Sequence, residues 1–123
     1  MLDIFREAVR TFPHGTKLPG TGYTIKGLGR RHAEEAIVYL VPSRQDPGKP
    51  FQKGFAASEL RCAYQRLLSS GEFSRTWFNS EMKECGKGAP CNFLAIGAVF
   101  VGLVFAHKKR GLFTLTRPVQ GIE

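Results

Sequence analysis

Long hydrophobic runs, a disulfide framework and an even spread of acidic residues are all missing from this sequence, and each absence narrows what it can be. The longest nearly uninterrupted apolar stretch, Phe93 to Ala106, has fourteen residues with two glycines inside it, whereas a membrane-spanning helix needs about 20. It reads as a buried core segment, and no membrane partner is expected. The three cysteines, Cys62, Cys85 and Cys91, are odd in number and follow no disulfide spacing. With no basic-then-apolar leader pattern at the start, the expected compartment is the reducing cytoplasm, with free thiols. Five residues separate Cys85 from Cys91, wider than the about two to four of a zinc knuckle, so no metal and no other cofactor is expected. Dinucleotide fingerprints, metalloprotease motifs and nucleophile elbows are absent as well, which removes the strongest enzymatic signatures.

What is present is a folded, basic chain. Its 123 residues fit one domain, 1–123, with 42% apolar and 11% aromatic residues, too many for a disordered basic tail. Eighteen Lys and Arg against ten Asp and Glu leave a net charge of +8. The excess is segregated. Ala8 to Ala33 holds Arg10, Lys17, Lys26, Arg30 and Arg31 with no acid, and Gly86 to Ile122 holds Lys87, Lys108, Lys109, Arg110 and Arg117 with none. Two such segments attract polyanions if they meet on one face.

Apolar spacing places the elements. Leu2, Phe5, Val9 and Phe12 mark a short amphipathic helix, and a glycine- and proline-rich loop follows to Tyr23. Tyr23 to Leu28 and Ala36 to Val41 read as strands, the second apolar on both faces and therefore central. Pro42 to Ala57, with three prolines and no apolar period, reads as a long mobile loop. Ser58 caps a helix whose stripe is Leu60, Ala63, Tyr64, Leu67 and Leu68, with Gly71 in the left-handed closing position. Ser74 caps the next, running to Cys85, with Phe73 and Phe78 spaced as a hydrophobic staple. Asn92 caps a third, apolar all round, running to about Ala106. A basic turn and a strand, Leu112 to Thr116, close the chain. The expected fold is α+β: a small antiparallel sheet holding Ala36–Val41 and Leu112–Thr116, packed on three to four helices.

Residues 58–85 follow the helix-turn-helix plan, with Ser70 to Phe73 as the turn. The second helix is then the reader: Arg75, Asn79 and Lys83 lie at i, i+4 and i+8, flanked by Thr76 and Ser80. Arg pairs with guanine, Asn with adenine and Lys with phosphate. Lys108, Lys109 and Arg110 stand where a winged helix carries its wing, although the helix directly before them is the apolar one. The expectation is a non-catalytic protein binding nucleic acid, chiefly duplex DNA, through Arg75, Thr76, Asn79, Ser80, Lys83, Lys108, Lys109, Arg110, Arg30 and Arg31. The alternative is a homodimer or protein-interaction module anchored by exposed aromatics among Phe51, Phe55, Phe73 and Trp77. A third reading, a small nuclease, would use His32, Glu34 and Glu35 with Asp46 and Lys49; as each of these types is ordinary in turns, no catalytic residue is assigned.

Overall fold

The computed structural model describes residues 3–116; Leu2 of the first stripe and Arg117 lie outside them. The chain runs α1 (Ile4–Thr11), β1 (Thr24–Arg31), β2 (Glu34–Val41), β3 (Phe51–Ala56), α2 (Ala57–Ser70), β4 (Glu72–Ser74), α3 (Arg75–Glu81), α4 (Lys83–Gly86), α5 (Asn92–Gly102), β5 (Ala106–Lys109) and β6 (Leu112–Leu115). This is the α+β class that the apolar spacing predicts, built around two three-stranded sheets.

The first sheet has the order β1-β2-β3, antiparallel throughout, so β2 is central as its two apolar faces predict. Its inner face, with Ile25, Ile37, Tyr39 and Phe55 buried, packs into the core. The long loop expected over 42–57 is a correction: only residues 42–50 lack regular structure, and 51–56 form β3 on β2. Phe51, Lys53 and Phe55 share one face there, a period of two that prolines upstream obscured. The second sheet has the order β4-β6-β5. The single sheet expected to hold both Ala36–Val41 and Leu112–Thr116 therefore does not form, because β6 pairs with β4 and β5, the latter drawn mostly from the stretch whose charge reads as a basic turn.

Several local signals act as the spacing predicts. Gly71 closes α2 in the left-handed region at φ 82°, its N–H donating to Leu67, and the Ser74 hydroxyl accepts from the Trp77 amide to cap α3. Phe73 and Phe78 meet with ring centroids 6.1 Å apart. Elsewhere the structure departs from the local signals. Ser58 is not the cap of α2: the helix starts at Ala57, the Glu59 carboxylate accepts from the Ala56 amide, and Ser58 bonds to Glu34. Glu72–Ser74 is a strand where a bare turn between helices was expected, and the helix from Ser74 breaks at Met82 into α3 and α4.

The segment from Phe93 is central, as its composition predicts: Phe93 and every residue from Ala95 to Phe100 are buried. Its glycines mark close approaches. A Cβ on Gly97 would lie 2.0 Å from the Phe113 ring, and one on Gly102 would lie 2.3 Å from Phe12. The helix stops at Gly102 rather than Ala106, and two residues on Val104 takes φ 64°. A β-branched side chain is strained there by about 1–2 kcal/mol. Val104 is also 74% exposed, so Val104→Gly should give up little packing and raise the melting temperature, with a gain of about 1 kcal/mol in denaturant melts. The β1–β2 turn, His32 and Ala33 at φ 52° and 63°, has the left-handed pair of a two-residue hairpin without the usual Asn-Gly.

Candidate nucleic-acid interface

Successive strand residues face opposite ways, so the outer face of the first sheet is set by Gly29, Ala36, Val38 and Gly54. Small side chains leave it shallow. A cleft of about 300 Å³ opens over it, and the charged residues lining it are all cations: Arg31, the loop residue Lys87, and Arg30 and Lys53, which alternation sets on the opposite face of the two edge strands. The Lys53 ammonium donates to the Gly88 carbonyl at 2.6 Å, tying β3 to the 87–89 loop. Arg30 donates to the Ala33 carbonyl and, among the described residues, makes no ion pair, its cross-strand neighbour Glu35 being taken by Arg6. Arg31 is committed more deeply, in an ion pair with Glu59 at 2.9 Å and a bond to the Glu84 carbonyl.

Lys87 also lines a second groove, of about 270 Å³, with Asn79, Lys83 and Pro90, and no acid lines this one either. Beyond Pro90 the run continues. Arg75 reaches the Pro90 carbonyl at 3.5 Å with its guanidinium 4.5 Å above the Phe93 ring, and its own amide donates to Gly111 in the β5–β6 turn. Lys108, Lys109 and Arg110 are exposed beside that turn. Contacts thus link the cleft on the first sheet, the polar side of α3 and α4, and the basic hairpin of the second sheet.

Most residues expected at the site are therefore brought together, with two distinctions. Ser80 lies on the other side of α3, bonded to Glu81 and lining a larger cleft that holds Glu59, Glu81 and Glu84, and Lys83 stands between the two, lining both this cleft and the second groove. Thr76 is exposed, and neither groove includes it among its lining residues. Lys53 and Lys87 were missed. Lys87 sits in an acid-free segment and is visible as charge, whereas Lys53 lies in a proline-flanked stretch whose local pattern reads as loop but which forms β3.

One buried side chain holds this arrangement from beneath. Asn92 is fully buried instead of capping α5: its amide donates to the carbonyls of Gly54 at 3.0 Å and Cys85 at 2.9 Å, and its oxygen accepts from the Tyr39 hydroxyl at 2.6 Å. Burial pushes the Tyr39 phenol far above its ordinary value. Burial likewise pushes the Cys85 thiol up to about 12, with Glu59 adding to the rise. Its folded value exceeds the ordinary value of 9.0, so this contribution to stability is whole below pH 9 and is lost as pH climbs toward 12. Cys85 should resist iodoacetamide at pH 8 in the folded protein and react once denaturant is added, as peptide mapping will show.

The His and carboxylate residues of the nuclease reading make separate contacts. His32 stands in the hairpin turn, Glu34 is bonded to the Ser58 amide and hydroxyl, and Glu35, a strand neighbour facing the other way, pairs with Arg6. The Ser58 bonds keep the Glu34 carboxyl below its ordinary value. Among the described residues, no three His, Cys, Asp or Glu side chains are grouped to hold a metal ion. Of the four aromatics offered as anchors, Phe55 and Phe73 are fully buried, Trp77 is half-buried under Arg66, and Phe51 alone is open. No protein-family profile, curated protein or solved structure matches the chain.

Proposed function

We propose that this protein binds nucleic acid without catalysis, holding duplex DNA by its phosphate backbone along the cationic run from Arg30 to the β5–β6 hairpin. The observation that carries the reading is that run itself: its two grooves share Lys87, and among the described residues no acid lines either. Contiguous cations that release counterions from a duplex give affinity independent of sequence. The order helix, strand, helices, then strand hairpin, with β4 paired to β6, resembles a winged helix and supports a role for the exposed hairpin. Base reading is the lesser part. The helix in the usual reading position is α5, which is buried, so Asn79 and Lys83 on the exposed side of α3 and α4 are the base-facing candidates.

The test is a titration of labelled duplex DNA, single-stranded DNA and RNA over a salt series. With about five phosphate contacts, log K should fall against log salt with a slope of roughly −4 to −5 on duplex DNA. A flat salt response, or no binding at low salt, would sink the reading. Preference for RNA or for single strands would keep the cationic face and replace its ligand.

A further inference from the structure

We propose that the outer edge of β1 is a docking site for an extended, acidic peptide segment, which adds as a further strand beside Leu28–Arg30 and seats an apolar side chain in the pocket behind that edge. β1 is the edge strand of its sheet. The chain covers only its first part: Ile25 exchanges backbone bonds with Gly15 and Thr16, Lys17 bridges to Thr24, and the His14 ring bonds to the Lys26 carbonyl. There the cover ends. A two-residue hairpin closes on a hydrogen-bonded Arg31–Glu34 pair, so by alternation Leu28 and Arg30 turn their N–H and C=O groups away from β2. Among the described residues nothing bonds to those outward groups, which form an open template for strand addition.

Beside this edge lies an apolar pocket of about 240 Å³, between the end of α1 and β1, with Val9, Phe12 and Ile37 in its lining and Leu28 at its rim. Leu28 is 56% exposed, an apolar side chain left in water at an unpaired edge. The volume accepts one apolar side chain of an added strand. Charge selects the rest of the occupant. Lys26 and Arg30 flank the open stretch in the strand; the Lys26 ammonium reaches across to the neutral Gln52 side chain and Arg30 to the Ala33 carbonyl, so neither charge is neutralised there, and the carboxylates near it are already engaged, Glu35 by Arg6 and Glu7 by Arg10. A second copy is disfavoured, since antiparallel pairing about Leu28 would set Lys26 of one chain against Arg30 of the other. An acidic strand meets the same groups with opposite charge.

Selection from a random linear-peptide display library on the full chain tests this. Enriched sequences should alternate apolar residues with Asp or Glu, and a synthetic copy of one should slow hydrogen exchange at the Leu28 and Arg30 amides. Leu28→Pro removes an outward donor and Val9→Trp fills the pocket; each should weaken that peptide by about tenfold without lowering the melting temperature. Should Leu28→Pro fail to fold, Val9→Trp and the exchange data decide. The Lys53, Lys83 and Lys87 to Ala variant should bind the peptide unchanged, which separates this site from the nucleic-acid face. Failure to enrich acidic sequences, equal binding by Val9→Trp, or protection of these amides by duplex DNA in place of peptide would overturn the proposal.

Discussion

Truncating Phe73 to alanine should cost the domain about 3–5 kcal/mol, seen as a fall in the denaturant midpoint with little change in slope. Phe73 lies fully buried in β4. Its ring centroid is 5.0 Å from that of Phe93, 5.8 Å from Phe100, 6.1 Å from both Trp77 and Phe78, and 6.3 Å from Phe113. Those partners belong to α3, α5 and β6, so one side chain joins the second sheet to the central helix. Aromatic packing of this kind adds to area burial, and rings held by three elements cannot all shift to fill the hole. Asn79→Ala on the exposed side of α3 should cost under about 0.5 kcal/mol. A loss near that value at Phe73 would mean the cluster closes over the cavity and is far softer than its contacts imply.

Asn92→Leu should cost about 2–4 kcal/mol although it nearly keeps the side-chain size. The Gly54 carbonyl is left without this donor and the Cys85 carbonyl keeps only Arg31, at 3.5 Å, and an orphaned buried polar group costs about 1–3 kcal/mol. The Tyr39 hydroxyl is spared, since Cys91 Sγ lies 3.2 Å away as a second acceptor. The loss has a place as well as a size. Gly54 is on β3 and Cys85 is on α4, so the bonds fasten the 86–91 segment, which carries Lys87, to the first sheet. Hydrogen exchange along that segment should accelerate more than along α2. Uniform acceleration would show that Asn92 contributes to global stability alone.

Much of this architecture was legible in the sequence where one signal acted locally. The stripe of α2, its closing Gly71, the Ser74 cap and the doubly apolar β2 each depend on spacing within one element, and each formed where spacing placed it. The misread parts depend on distant partners. Leu103 to Ala106 continues an apolar run and looks like the end of a helix, and Lys108 to Arg110 looks like a bare basic turn, but β6 offers Ala106–Lys109 a ladder and Val104 turns the chain toward it. Glu72–Ser74 is too short to show a period and is a strand only because β6 lies beside it. Asn92 has the residue type of a cap, yet its oxygen, the capping atom, accepts from the buried Tyr39 hydroxyl instead, while its amide is held by the carbonyls of Gly54 and Cys85.

The candidate site was half legible for the same reason. Charge segregation in the sequence marked Arg30, Arg31 and the 108–110 turn, and helical spacing marked Arg75, Asn79 and Lys83. Their joining through Lys53 and Lys87 depends on β3 pairing with β2 and on the Lys53 bond to Gly88, neither of which has a signature in local pattern. Spacing also could not show that Arg75 lies over Phe93, or that Ser80 faces the acidic side of α3.

The central claim, that the acid-free run is the face that holds DNA, is tested most directly by comparing two variants of equal charge in the same salt series. One replaces Lys53, Lys83 and Lys87 by alanine; the other replaces Lys17, Arg44 and Lys49, which are exposed and line neither groove. With each phosphate contact worth roughly 0.9 in slope, the first variant should bind duplex DNA with a log-log slope shallower by about 2 to 3, and the second should keep the wild-type slope. Equal changes in both would show that net charge alone attracts the DNA and would contradict the assignment of this face.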